Sequence, residues 1–294
     1  MLKYWICWVN DMKTLSTVHG AISIVNAIAT GQGSALGISL ETCAEVTLTS
    51  DNLVEVIINN DKSENIGLAQ ECFKLVKMKT SESCGAKITV NSDIPIGRGL
   101  KSSSAAATAI ILSCLKAFEI VMTEKEILDL SVQASKNSGV TITGALDDAA
   151  ACFLGGLVVT NNSSNELLSR VIVDDDYSIL IHVPDHKSYT KDVNYSGSDE
   201  FIHSLDTLIS MTLEGNYLSA MSLNGMIYSR ILKQSNESAI LALKNNALAA
   251  GLSGTGPSVG VICLSENKSS ILDSWKNLDG DIITAKINNE KGLI

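Results

Sequence analysis

Long apolar runs are missing from this 294-residue chain. No stretch of about 18 uncharged apolar residues occurs, so a helical membrane span is not expected. The opening "MLKYWICWVND" contains one apolar run, Tyr4 to Val9. It is too short for a signal-peptide core and lacks a small-residue cleavage site. Met12 begins a second plausible start, "MKTLSTVHGA", which makes the first eleven residues an expected appendage or the product of a misassigned start. Basic charge is also scarce. Lys and Arg number 22 against 32 Asp and Glu, for a net charge of −10, which argues against a nucleic-acid-binding surface. It does not exclude an anionic ligand, because backbone amides can hold phosphate on an acidic protein. The seven cysteines, Cys7, Cys43, Cys72, Cys84, Cys114, Cys152 and Cys263, form no CxxC pair. Scattered single thiols in apolar runs point to a reducing cytoplasm, not to disulfides or structural zinc. Only three prolines occur, and no internal repeat or low-complexity tract stands out.

What is present is an interleaved pattern of strands and helices. Alternating or β-branched runs predict strands at Ala44–Ser50, Leu53–Asn60, Ala86–Pro95, Tyr177–Val183 and near Ile282–Ile287. Helical spacing appears at Asn65–Thr80, Phe201 to about Lys233, and Glu237–Ala250. Thr123 and Glu126 form a capping box ahead of another helix. The stretch from about Ser102 to Phe118 is apolar nearly all round and should be a buried helix. Both halves mix the two element types, which argues for an α/β or α+β architecture. A boundary is expected after Gly155-Gly156, giving domains 1–156 and 157–294.

Three segments carry chemistry. "PIGRGLKSSSAA", from Pro95, sets glycines and three serines at the start of the buried helix. Glycines let the backbone approach a ligand, and helix-start amides favour anions. Serine hydroxyls there can bind phosphate or complete a Mg²⁺ shell. The loop is not a Walker A motif, GxxxxGK(S/T), and Gly97 and Gly99 lack the third glycine of the dinucleotide fingerprint. Residue types alone leave phosphate binding and simple capping both open. "GLSGTGPSVG", Gly251 to Gly260, is a second backbone-rich loop, and two such loops are hard to explain as unrelated turns. In "GALDDAAACFLGG", Asp147 and Asp148 lie among small apolar residues. A carboxylate so placed can act as a general base or metal ligand, or as a helix N-cap beside a spare acid. The "HVPDH" pair, His182 and His186, looks like a metal site, but a strand and Pro184 intervene and ligation is not expected.

Taken together the segments resemble the GHMP kinase superfamily, which includes homoserine, mevalonate, galactose and archaeal-type shikimate kinases. "PIGRGLKSSSAA" is similar to its PxxxGLGSSAA phosphate loop, and "GLSGTGPSVG" to its C-terminal glycine motif. "GAISIVNAIATGQGSALGI", Gly20 to Ile38, sits where the N-terminal substrate-side motif belongs. The blocks follow the family order and cover nearly the whole chain. "VNAIATGQGSALGI", Lys101 in place of a glycine, and "TGALDDA" look most like the archaeal shikimate kinases.

The resemblance implies an α+β, two-domain fold: an N-terminal left-handed βαβ domain and a C-terminal ferredoxin-like domain, with the site between them. It implies ATP and Mg²⁺, and transfer of the γ-phosphoryl group to a hydroxyl of shikimate. Homoserine or another small metabolite is the alternative acceptor, and a non-catalytic metabolite-binding relative is a further one. Carried over residue by residue, the nucleotide loop is Gly97, Arg98, Gly99, Leu100, Lys101, Ser102, Ser103, Ser104 and Ala105. A gap-free match selects Ser102 and Ser103, whereas matching back from Ala105-Ala106 selects Ser103 and Ser104. Ser103, common to both, is the expected phosphate or Mg²⁺ hydroxyl. The mevalonate and galactokinase register places the base at Asp148, seven residues before Gly155, and the homoserine kinase register places its aspartate at Asp147. The expectation is Asp148 as base, with Asp147 orienting substrate or ligating the metal. Asn26, Thr30, Gly254, Thr255 and Gly256 are the expected substrate side. Lys101 or Arg98 would meet a phosphate or the shikimate carboxylate. Two departures stand out: Asn137 occupies the place of a Mg²⁺-binding Glu, and Ala21 that of the mevalonate kinase lysine.

Overall fold

A computed structural model describes residues 13–60, 66–186, 188 and 198–293. The opening segment with Trp5, Trp8 and Cys7 and most of the Pro184–Asp199 loop lie outside the described residues. Two sheets organise the chain. The first holds β1 (Thr14–Val25), β2 (Gln32–Thr49), β3 (Val54–Ile58), β4 (Gly85–Ser92), β5 (Leu157–Asn161) and β6 (Glu166–Val171). Its order is β3-β4-β2-β5-β6, with β1 also paired to β2. The 18-residue β2 is the spine: one half pairs with β4 and the other with β5. β3 and β4 run parallel, joined through α1 (Gly67–Lys77), because parallel neighbours need a crossover. The two strands that follow Gly156 extend this first sheet.

α2 (Ser102–Ala117) is the central helix, and all of Ser104–Leu115 except Ala106 is buried. It packs on β1, β2, α1 and α3 (Glu124–Asn137), as expected of a helix apolar all round. Thr123 and Glu126 make the expected capping box. α4 (Leu146–Leu154) packs against α2, β1 and β2.

The second sheet contains β7 (Tyr177–Val183), β8 (Ala249–Leu252), β9 (Val259–Leu264) and β10 (Asp281–Lys286). All its pairings are antiparallel, in the order β10-β7-β9-β8. With helices between β7 and β8 and between β9 and β10, this is the ferredoxin-like βαββαβ path. The two sheets and their helices make the fold α+β.

Two element boundaries differ from the sequence pattern. The long helix expected from Phe201 to Lys233 is two, α5 (Ile202–Leu213) and α6 (Tyr217–Ile231), broken at Gly215 with φ +92°. The helix expected over Glu237–Ala250 ends at Lys244 as α7 (Glu237–Lys244). Asn246 turns left-handed at φ 64°, and Ala249 and Ala250 enter β8, where pairing to β9 overrides alanine's helix preference. α8 (Lys268–Ser274) precedes β10. Among the described residues no helix is long and apolar enough to cross a membrane.

Candidate active site

The phosphate-loop candidate follows β4 and turns left-handed three times, at Gly97 (φ 68°), Gly99 (φ 82°) and Lys101 (φ 68°). Gly99 is irreplaceable on two counts. Its φ suits glycine, and a Cβ there would lie 2.1 Å from the Ser253 carbonyl oxygen. That contact shows how tightly the second glycine motif clasps the first loop. Ser253 Oγ donates to the Gly99 carbonyl at 2.8 Å, and the Ser258 amide donates to the Arg98 carbonyl at 3.2 Å.

The capping reading of the three serines is not what the structure shows. The N-cap of α2 is Lys101, left-handed, and no side chain caps the helix. Ser102, Ser103 and Ser104 form the first helical turn, and all three line a cavity of about 570 Å³. A sixteen-residue helix therefore points its amide end at the cavity, where an anion can satisfy the orphan N–H groups.

Lys101 reaches back into the site from this N-cap. Its Nζ lies 2.7 Å from Asp148 Oδ1 and donates to Ser23 Oγ at 2.7 Å. Ser23 Oγ also accepts the Gly254 amide at 2.9 Å, while the Ser23 amide donates to Ser253 Oγ at 3.1 Å. Burial alone would lower the Lys101 pKa. The charges of Asp148 and Asp147 outweigh it and hold the ammonium above the ordinary lysine range.

The two aspartates open α4 after the left-handed Ala145, where the helix dipole favours negative charge. Their surroundings differ. Asp148 pairs with Lys101 and keeps 19% of its side chain exposed. Asp147 is buried; its Oδ1 accepts from Asn162 Nδ2 at 2.8 Å. Gly33 packs so closely that a Cβ there would sit 2.5 Å from Asp147 Oδ2. Burial, then the Asp148 charge, push the Asp147 carboxyl up to about 6, against the opposing pull of Lys101 and Asn162. Asn162 is itself aimed by Thr160 Oγ1, which donates to its Oδ1 at 2.7 Å, and Asn162 donates to Thr143 Oγ1 at 3.1 Å.

The cavity gathers most of the expected residues: Gly97, Gly99, Lys101, the three serines, Asn26, Asp147, Asp148, Gly254 and Thr255 all line it. Apolar side chains, including Ile58, Leu68, Val90, Ile96 and Ile110, make up much of the remaining wall. Asn26 Nδ2 donates to the Gly254 carbonyl at 2.9 Å, and its Oδ1 accepts the Ile28 amide. Five expected residues are not among those lining it. Leu100 and Ala105 are fully buried in the core. Thr30 sits in the β1–β2 turn, its hydroxyl exchanged with the backbone of Gln32. Gly256 precedes Pro257 in the glycine motif. The guanidinium of Arg98 donates to the carbonyls of Pro184, Asp185 and His186, so it clamps a loop. Asn137 is exposed and donates to Glu71 at 2.7 Å. Ser23, Asn162 and Thr143 were not singled out by the sequence pattern. Ser23 is a small polar residue inside a buried strand, which is the one signal that marks it.

The model for the GHMP kinases N terminal domain matches residues 67–156, which hold the phosphate loop and both aspartates. A shikimate kinase of Methanothrix thermoacetophila is 36% identical over 278 residues, covering 95% of this chain and 95% of that protein. The chain belongs to the shikimate kinases of the GHMP kinase superfamily. A second relative, the shikimate kinase of Methanothermobacter thermautotrophicus, is 37% identical over 92% of this chain and 94% of its own length. The fold agrees. The homoserine kinase structure from Cytophaga hutchinsonii matches with a TM-score of 0.75 at 17% identity, over 98% of this chain and 99% of that one. The Methanococcus jannaschii mevalonate kinase matches at 0.74 and 16%, over 95% and 98%.

Mg²⁺ is the metal this family implies. Among the described residues no cluster of three His, Cys, Asp or Glu could cage a metal. The donors present, a serine hydroxyl and a carboxylate beside a phosphate-sized helix terminus, suit Mg²⁺, which takes one or two protein ligands and completes its shell with phosphate and water.

Proposed function

We infer that the protein transfers the γ-phosphoryl group of ATP to a hydroxyl of shikimate, giving shikimate 3-phosphate and ADP. The observation that carries this reading is the convergence of the phosphate loop, Lys101 and Asp148 on one cavity. The kinship to shikimate kinases over nearly the whole chain names the acceptor.

Phosphoryl transfer needs positioning and charge stabilisation more than covalent help. The amides at the start of α2 and the Ser103 hydroxyl hold the nucleotide phosphates. The apolar wall of the cavity takes the base of the nucleotide. Asp148 accepts the proton of the attacking hydroxyl as the new O–P bond forms. The bond between the γ-phosphorus and the bridging oxygen breaks, and ADP leaves with that electron pair. Asp147 and Ser103 would hold Mg²⁺, which neutralises phosphate charge when bound. Asn26, Gly254 and Thr255 face the acceptor. The cysteines among the described residues are mostly buried, which supports a reducing, cytoplasmic setting.

Coupled ADP release with shikimate, homoserine and mevalonate as acceptors tests the reading. Turnover of homoserine without shikimate would overturn it. Asp148→Asn should lower kcat by about 10²–10⁴, with binding of a non-hydrolysable ATP analogue within a few-fold of wild type. Unchanged turnover would remove Asp148 from the chemistry.

A further inference from the structure

The proposed transfer leaves one charged group without a task. Lys101 is the N-cap of α2 and the residue before the serines, so its position in the chain suggests a phosphate ligand. Its side chain is placed for something else. Nζ lies 2.7 Å from Asp148 and 2.7 Å from Ser23 Oγ, with 6% of the side chain exposed. The ammonium donates to Ser23 and is ion-paired with Asp148, an ammonium carries three N–H donors, and the residue lines the cavity. An ammonium in contact with the base carboxylate is within reach of whatever hydroxyl that carboxylate deprotonates. The nucleotide phosphates, by contrast, are already served by the amide end of the helix.

The geometry points to Lys101 as a catalytic residue of the transfer, donating to the acceptor oxygen while that oxygen gives its proton to Asp148 and attacks phosphorus. A remaining N–H donor then meets the negative charge that develops on this oxygen. The lysine needs no reorganisation when charge develops, which is where preorganised donors contribute most. Its anchorage is specific. Ser23 Oγ, which receives the ammonium, also receives the Gly254 amide, so β1, the glycine motif and the phosphate loop jointly fix Nζ. The backbone cost is visible too, since Lys101 is a non-glycine residue held left-handed at φ 68°, a strained state for a side chain with a Cβ. The charged groups that face Nζ are Asp147 and Asp148, with the Cys152 thiol behind them, all on α4.

This assignment rests on the kinase reading, and the experiment separates the two. Lys101→Met, Lys101→Gly and Lys101→Arg are purified and their thermal melts, nucleotide-analogue binding and steady-state kinetics measured. Glycine suits the left-handed N-cap, so Lys101→Gly removes the ammonium without backbone strain. In both Lys101→Met and Lys101→Gly, kcat should fall by about 10²–10³ while the analogue Kd stays within about threefold. Methylammonium or ethylammonium should restore turnover to Lys101→Gly in a saturable way. Arginine, too large for the gap between Ser23 and Asp148, should not replace lysine. The proposal is overturned if nucleotide binding weakens tenfold or more with kcat unchanged, which would make Lys101 a phosphate ligand. Collapsed melts in both truncations, or no amine rescue, would also overturn it, leaving a structural lysine. Wild-type turnover of a different acceptor would sink the shikimate reading alone, since the same readouts can be taken on that acceptor.

Discussion

Asp147→Asn should make the folded protein more stable at neutral pH. The Asp147 carboxyl titrates near 3.8 when unperturbed and is lifted to about 6 in the folded chain. Because burial and the Asp148 charge favour its protonated form, the stability this group contributes is complete below pH 3.8. That contribution is lost progressively as pH rises to about 6. At about 1.4 kcal/mol per pH unit, the ionised group opposes folding by about 3 kcal/mol at pH 7.5. Asparagine keeps the shape and still offers a carbonyl to Asn162, but carries no charge to desolvate. Allowing for imperfect pairing of its amide against Gly33, a net gain of about 1–3 kcal/mol is expected. Urea unfolding with linear extrapolation, run on both proteins at pH 5 and pH 7.5, is the assay. The gap between variant and wild type should widen by about 1.4 kcal/mol from the lower to the higher pH. A gap independent of pH, or a variant less stable than wild type at pH 7.5, would refute the reasoning.

Two further substitutions probe the same machinery from its edges. Gly99→Ala places a Cβ 2.1 Å from the Ser253 carbonyl at a φ of +82°. It should separate the two glycine loops and weaken nucleotide-analogue binding at least tenfold, measured by calorimetry, with a lower melting temperature. Asn162→Leu removes the 2.8 Å donor to Asp147. A hydrogen bond to a charged group contributes about 1.5–3 kcal/mol, so the acid limb of kcat/KM should move up by about one pH unit or more. An unmoved limb would detach Asp147 from the pH dependence of turnover.

The parts of this site that could be read from residue types are those whose reason is local. The buried central helix shows as an unbroken apolar run, the capping box as Thr123 with Glu126, and the phosphate loop as glycines before serines. What stayed hidden depends on partners far along the chain. Nothing near Ser23 says that it will receive Lys101 from 78 residues away and Gly254 from 231. Asn162 reads as one of several turn polar residues until α4 brings Asp147 to it. Arg98 and Lys101 are equivalent by charge and differ only in what the fold puts within reach: three carbonyls for one, a carboxylate and a hydroxyl for the other. The three serines follow the same logic. A serine before a helix is ordinarily read as its cap, but here the left-handed Lys101 takes the N-cap and moves all three hydroxyls into the first turn. The amides that a cap would have satisfied are then left for the ligand. Most helices here also lack a side-chain cap, so the argument for a phosphate seat is that the uncapped start of α2 opens on the cavity together with the glycines and the three serines.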